Sequence, residues 1–508
     1  MSVIGDNKDT LKFAGDFQLD VCTLVSYRKS AEAQDELVRV NILPQVMSVT
    51  YVEDITLQCI TGEIVLADVQ DIRTSLPLTG MERLELKFYT PGSNLSDRVE
   101  ALEQISDPYY IYKIEKIRPS GGTGRQQVYK LHFTSREAYR NSIYRVSQAF
   151  TGPIEDAVLK IVKSPDYLDS RKPLYIEETK TNSKFVIPNK KPFNAIKFLA
   201  SEAISKNYNN SNYLFFETMN GFHFRSIESL LALGGHTARP VKEKYHLQPA
   251  KVRTSGERNI ERDMRSVAHY SFENPVNQLE SLNTGLFASR VIQHDAFNKT
   301  ITETDFDYHT SFGNYFHTEH TEGGKTGIKF IQPYAYFDNT KKLFSEQPLQ
   351  KLMVTSNTQN IHNDYKRANR NEIIQNSQSQ RQQLLNNNLV LNVPGNTKVH
   401  AGDMISFTLP YAKPVGPNEK QEINPYYAGR YLVLQVKHTI SPLAKKHEMV
   451  LRFAKDSVNT TLPVETDTSI VKLKDKKSID VITVYEKDDT EVQVASKQIG
   501  KINNDIFT

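Results

Sequence analysis

The chain has no tryptophan and only two cysteines in 508 residues, Cys22 and Cys59. Two thiols exclude a disulfide framework and a thiolate zinc cluster. Each lies in an apolar, strand-like run, "VCTLV" or "ITLQCI", and reads as a small buried hydrophobe. There is no window of about 18 apolar residues. The N-terminal "MSVIGDNKDTLKFAGD" has neither the basic nor the apolar region of a leader. A reducing, soluble compartment without direct membrane insertion is expected. An excess of one charge is also missing. With 63 basic and 59 acidic residues the net charge is +4, which is not the basic footprint of a nucleic-acid binder. Neither "GGTG" (121–124) nor "GGHT" (234–237) is followed by the Gly-Lys-Ser/Thr of a phosphate loop, so both read as turns.

What is present is aromatic and alternating. The 25 Tyr and 24 Phe in a chain of mean hydropathy −0.50 suit half-buried sheets better than large helical cores. "VTYVEDITLQCITGEIVLADV" (49–69) reads as two strands hinged at Thr61-Gly62, with Glu53-Asp54 bending the first. "GMERLELKFYTPG" (80–92) alternates Leu84, Leu86 and Phe88 against Glu85 and Lys87, then stops at Pro91-Gly92. "YYIYKIEKIRP" (109–119), the flexible tip "SGGTGR" (120–125) and "VYKLHFTS" (128–135) read as a hairpin.

The texture then changes. Ile154, Ala157, Val158, Ile161 and Val162, after Thr151 and Pro153, predict a helix. Phe193, Ile196, Leu199, Ala203 and Ile204 predict a second. "NYLFFETMNGFHFRSIESL" (212–230) reads as a hairpin on an Asn220-Gly221 type I′ turn. "NTQNIHNDYKRANRNEIIQNSQSQRQQLLNNN" (357–388) is dense in Asn and Gln. It carries Ile373, Ile374, Leu384 and Leu385, lacks Gly and Pro, and predicts a long polar helix, with a disordered prion-like tract as the alternative.

Three strand motifs recur in order. Gly80 precedes Tyr110 much as Gly402 of "AGDMISFTLP" precedes Tyr431 of "RYLVLQVKHTIS". Tyr110 precedes Phe133 as Tyr431 precedes Phe453. More loosely, "SVTYVEDITLQCITGEI" matches "GLFASRVIQHDAFNKTI". The expected fold is therefore α+β and predominantly antiparallel β, with two similar β-barrel-like tube domains. The first spans 1–150, and its duplicate spans 246–304 and 389–457. Between and around them lie a small α+β domain (151–245), an insertion with the polar helix (305–388) and a C-terminal extension (458–508). Three chains of two modules each would form a ring of six, joining three-fold to six-fold symmetry.

The run "VNILPQVMSVTYVEDITLQCITGEIVLADVQDIRTSLPLTGMERLELKFYTPG", with "KKPFNAIKFLASEAIS", "YLFFETMNGFHFRSIESL" and "VPGNTKVHAGDMISF", resembles the baseplate central hub proteins of contractile-tailed bacteriophages. These are related to the hub domains of type VI secretion spike proteins. The resemblance covers most of residues 17–457. It implies a structural virion protein, assembled in the host cytoplasm, that forms a hollow homotrimer in the tail baseplate. Its implied partners are the three-fold cell-puncturing spike, the six-fold tail tube and tube-initiator proteins, and the tape-measure protein. DNA would pass through it after spike release. The extension after 457 has no counterpart in this pattern.

His317 and His320 of "HTEH", with His309, form the best metal candidate, but strand-like flanks put His317 and His320 on opposite faces and surface histidines are expected. His294-Asp295 lacks a nucleophile and partner spacing. Glu53-Asp54 and Asp305-Asp307 are the carboxylate pairs a peptidoglycan hydrolase would need. No catalytic, cofactor-binding or metal residue is assigned. A tail-associated hydrolase, a glycan-binding adhesin and the hub of a phage-like secretion system are the alternatives.

Overall fold

Alternation with a period of two places Leu84, Leu86 and Phe88 on one face of a strand, and all three are fully buried. That strand is one of fifteen that the main sheet contains among the described residues. The computed structural model describes residues 10–29, 35–76, 78–102, 107–120, 126–180, 182–233, 237–247, 259–273, 277–295, 298–320, 329–330, 336–337, 342–343, 351–356, 371–386, 388–411 and 422–459. The described elements belong to one compact unit, Met1–Thr460.

In the first half, β1 (Gln18–Lys29), β2 (Val46–Asp54), β3 (Thr61–Asp68), β4 (Arg83–Tyr89), β5 (Tyr109–Ser120) and β6 (Gln126–Thr134) pair in the order β2-β3-β6-β5-β4-β1. In the second, β7 (Glu243–Leu247), β8 (His269–Glu273), β9 (Asn388–Pro394), β10 (Met404–Thr408), β11 (Gly429–Ser441) and β12 (Lys446–Ala454) pair in the order β8-β9-β12-β11-β10-β7. The permutation is the same. Only the last pairing differs in sense: β1–β4 is antiparallel and β7–β10 parallel. Each half also has a short strand leading into its second member. Asp35–Asn41 pairs with β1 and precedes β2; Ser266–Val267 pairs with β7 and precedes β8.

The correspondence extends to irregularities. β5 bulges between Ile111 and Lys113, opposite Phe133 and His132. β11 bulges between Val433 and Gln435, opposite Phe453 and Arg452. This register matches Tyr110 to Leu432, one residue from the Tyr110–Tyr431 match that spacing gives. β4 and β10 follow glycines in the left-handed region, Gly80 at φ +86° and Gly402 at φ +89°. An acid fastens each turn. Glu82 accepts from the N–H groups of Thr79, Gly80 and Met81, and Asp403 accepts from that of His400. The likeness of "GMERLEL" and "AGDMISF" therefore has a backbone cause. One further pairing, β2 with β11, runs from Asp54↔Gln435 to Val49↔Ile440 and merges both sets into one sheet.

Several expectations are corrected. Thr61-Gly62 does not hinge two strands; it opens β3, after a loop at 55–60 that carries half-buried Cys59. Glycine is needed at 62 for closeness, since a Cβ there would lie 2.4 Å from the Thr50 carbonyl oxygen and 2.2 Å from Phe133 Cζ. The hairpin Tyr213–Thr218/Gly221–Ser226 turns on Met219-Asn220, because Thr218 pairs with Gly221 and Met219 is held by a distant carboxylate. The α+β unit begins before residue 151, since Val146–Pro153 already pairs with Asn182–Lys190.

The segment 285–304 is not the upstream part of the second copy. Ala288–Asp295 pairs with Thr300–Asp307 and Leu352–Ser356 in a separate three-stranded sheet. Its place in the repeat is taken by β8 and β9, which supply the edge that β12 requires.

Helix spacing proved dependable. α1 (Ile154–Lys163) buries all five of its predicted apolar residues. α2 (Pro192–Glu202) buries Phe193, Ile196 and Leu199. The polar helix α3 is described over Asn371–Asn386 and is buried over much of its surface. Gln380 accepts from the amides of Asn210 and Asn212, while Gln375 donates to the Ser289 and Thr304 carbonyls. Its amides thus tie the α+β unit to the three-stranded sheet. The tips at 121–125 and 234–236, residues 357–370 and the extension from 460 lie outside the described residues.

Gly62→Ala forces its new methyl group into Thr50 and Phe133. Urea unfolding followed by circular dichroism should show a loss of about 1–3 kcal/mol, the usual cost of overpacking, with the native spectrum retained.

Candidate functional site

In β2, Val49, Tyr51 and Glu53 share the inward phase, so the acid at 53 enters the interior. Its carboxylate is fully buried. Oε1 accepts from the Met219 N–H at 2.7 Å and Oε2 from the Ala401 N–H at 3.1 Å. Those two donors belong to the α+β hairpin and to the turn before β10. One side chain therefore joins three parts of the chain. His400 stands at ion-pair distance, Nδ1 3.7 Å from Glu53 and Nε2 4.0 Å from Asp97. Burial would lower the His400 pKa, but Asp97 and Glu53 carry it up to about 9, so it is an imidazolium at neutral pH. Burial would raise Glu53, but His400 and the two N–H donors hold it below its ordinary value.

Asp54 points to different work. It accepts from the Thr56 N–H and hydroxyl and from Gln435 Nε2 at 2.8 Å, across the β2–β11 pairing. Glu53 and Asp54 are thus committed to separate structural tasks. Asp305 forms a two-pronged ion pair with Arg290, which also meets Glu303, whereas Asp307 caps the helix Tyr308–Ser311 through the His309 N–H. His294 and Asp295 do not act together either; Asp295 accepts from Asn298.

The histidines of "HTEH" are buried, not on the surface as expected. His317 bonds through Nδ1 with Asp456 at 2.7 Å and through Nε2 with the Phe312 carbonyl at 2.7 Å, stacked on the Phe312 ring. His320 Nδ1 accepts from the His317 N–H. His309 lies against Phe287 instead. Among the described residues no group of three or more His, Cys, Asp or Glu is arranged to hold a metal.

A buried cluster escaped the sequence reading. Lys172 Nζ lies 2.6 Å from Glu217 and 3.0 Å from Glu137. Glu217 also accepts from the Ile60 N–H and the Ser135 hydroxyl, and Glu137 from Ser170. Burial raises Glu217 despite Lys172; against the same cost, Lys172 and Ser170 hold Glu137 low. The cluster fastens the α+β hairpin to the first strand set. Its only sequence signal is an acid, Glu217, at the end of the aromatic strand "YLFFET".

Two outcomes follow. His400 is raised above 6.5, so its contribution to stability is complete below about pH 6.5 and is lost as pH rises through about 9. Glu53 is held below 4.5, so its contribution is present above that value and lost on acidification. Urea midpoints measured across pH should fall on the alkaline side, and Glu53→Gln should make that fall shallower. Lys172→Met strands two buried carboxylates and should cost about 3–5 kcal/mol by the same assay.

No protein-family model matches the chain. It is 22% identical over 421 residues to "Probable baseplate hub protein gp334" of Vibrio phage KVP40, covering 81% of this chain and 87% of that protein. Among solved structures, a tail protein from Neisseria meningitidis MC58 covers 85% of this chain and 97% of its own, at 11% identity and a TM-score of 0.43. The c3393 protein of E. coli, described as a component of the type VI secretion system, covers 81% of this chain and 73% of its own, at 10% identity and a TM-score of 0.36. The resemblance read from the residues is thus met by a relative: the chain resembles a phage baseplate hub protein over four fifths of its length, and a structural tail or baseplate role is what that resemblance supports.

Proposed function

We propose that this chain is the central hub of a contractile-tail baseplate, a homotrimer that adapts a six-fold tail tube to a three-fold spike. In this reading it is a virion protein assembled in the host cytoplasm. It meets the spike, the tube and tube-initiator proteins and the tape-measure protein, and its lumen passes DNA after spike release. Each six-strand set is read as one β-barrel-like tube module of that ring. Its task is geometric, with no catalytic residue.

One observation carries the reading: the β2–β11 pairing has an unused equivalent. By the repeat, β2 corresponds to β8 and β11 to β5. Among the described residues no strand pairs with the outer edge of β8, nor with β5 from Lys113 onward on the side that carries β4. Unpaired strand edges call for a partner. Tyr112 and Ile117 are large exposed side chains of β5. β8 of one subunit placed on β5 of the next would repeat the internal contact, and three repeats close a ring of six modules. In that register Val52↔Lys437 becomes Glu273 facing Glu115. Both acids already have cations, Glu273 with Arg452 and Glu115 with Lys113.

Native mass spectrometry, with and without the spike protein, should show a species of three times the 58.0 kDa chain mass. Glu115→Cys combined with Glu273→Cys should then give covalent multimers on oxidation, while either single variant should not. A monomer in both conditions overturns the hub. A trimer without cross-links overturns only this pairing.

A further inference from the structure

A groove runs between α2 and α3, with the strand Tyr213–Thr218 beneath it. One end is apolar and lies where four parts of the chain meet: the 55–60 loop, α2, the hairpin and β11, through Ile55, Phe193, Leu214 and Leu434. The other end is polar, bordered by Ser211, Asn212, Ser377 and Gln382.

Two cations, Lys197 and Arg381, border both ends, and among the described residues no Asp or Glu lines either. Among the described residues neither cation makes an ion pair or a hydrogen bond. Elsewhere cations are commonly paired, as Lys172, Arg290 and Lys455 are. Both cations are exposed, so their charges are open to a ligand. At the polar end the buried Oε1 of Gln382 has no donor. The site therefore combines an apolar recess, two uncompensated positive charges and a spare hydrogen-bond acceptor.

We infer that this groove docks a peptide segment of a partner protein in which an apolar side chain stands beside carboxylates. The apolar side chain fills the recess under Leu214, the carboxylates lie between Lys197 and Arg381, and a peptide N–H donates to Gln382. Apolar burial supplies the attraction, and the two cations select the sign of the partner. The inference does not rest on the hub reading, because every residue involved belongs to one subunit.

The test is fluorescence anisotropy of the full chain with a short fluorescein-labelled peptide of alternating phenylalanine and glutamate. The phenylalanine–lysine counterpart and sodium decanoate serve as comparisons. The acidic peptide should bind, more weakly as salt is added. Lys197→Glu with Arg381→Glu should weaken it by about tenfold or more, at an unchanged melting temperature. Lys197→Arg with Arg381→Lys should retain it. Absence of binding, equal binding of the basic peptide, or binding indifferent to the double reversal each overturns the proposal. So does displacement by decanoate of a peptide that the reversal leaves bound, which would mark adventitious binding elsewhere.

Discussion

The buried carboxylate of Glu53 is the point on which the arrangement of parts depends. It stands in β2, and its two oxygens take their N–H donors from the α+β hairpin and from the turn before β10. An uncompensated charge at that depth would be untenable, and His400 supplies the counter-charge while being held by Asp97 as well. A point interaction of this kind has little tolerance for sliding, so it sets where the hairpin and the second strand set must stand. The nearby Lys172 cluster works in the same direction, tying Glu217 of the hairpin to Ile60 and Ser135. Apolar burial supplies most of the driving force for folding; these polar contacts decide relative placement.

The two strand sets share one order of pairing on different side chains. Side chains facing the core exchange freely among apolar types, as where Ile111 stands in one set and Val433 in the other. Backbone irregularities exchange less easily. The bulge after Ile111 and after Val433, and the left-handed glycines at 80 and 402, occur in both. The sets differ where their neighbours differ. β1 arrives antiparallel to β4, whereas β7, entering after the α+β unit, arrives parallel to β10.

α3 gives a physical meaning to its composition. An Asn/Gln-rich tract is read as disordered when its amides can be satisfied only by water. Here amides of Gln375, Gln378 and Gln380 bond to carbonyls and side chains of two neighbouring units. Its Leu384 meanwhile joins an apolar cluster with Leu432 and Leu434. The same placement brings Arg381 opposite Lys197 and forms the groove between α2 and α3.

Much of the architecture was legible in the residues themselves. Period-two alternation gave the strands 80–92 and 109–135, and period 3.6 gave α1 with all five of its buried residues, because both signals are local. The repeat was visible for the same reason: spacing between Gly80, Tyr110 and Phe133 is preserved along the chain. Tertiary structure alone decided the rest. The assignment of 285–304 failed because strand pairing across long loops is chosen by which edge is free, and no local pattern encodes that. The hairpin turned on Met219-Asn220 because Glu53, 166 positions away, holds the Met219 N–H. The acids at 53, 54, 305 and 307 and the histidines at 317 and 320 carried the right chemistry for a site, yet each found a structural partner. Sequence determined the strands, the helices and their repetition; which charges meet was left to the fold, since a charge is interpreted only by what stands opposite it.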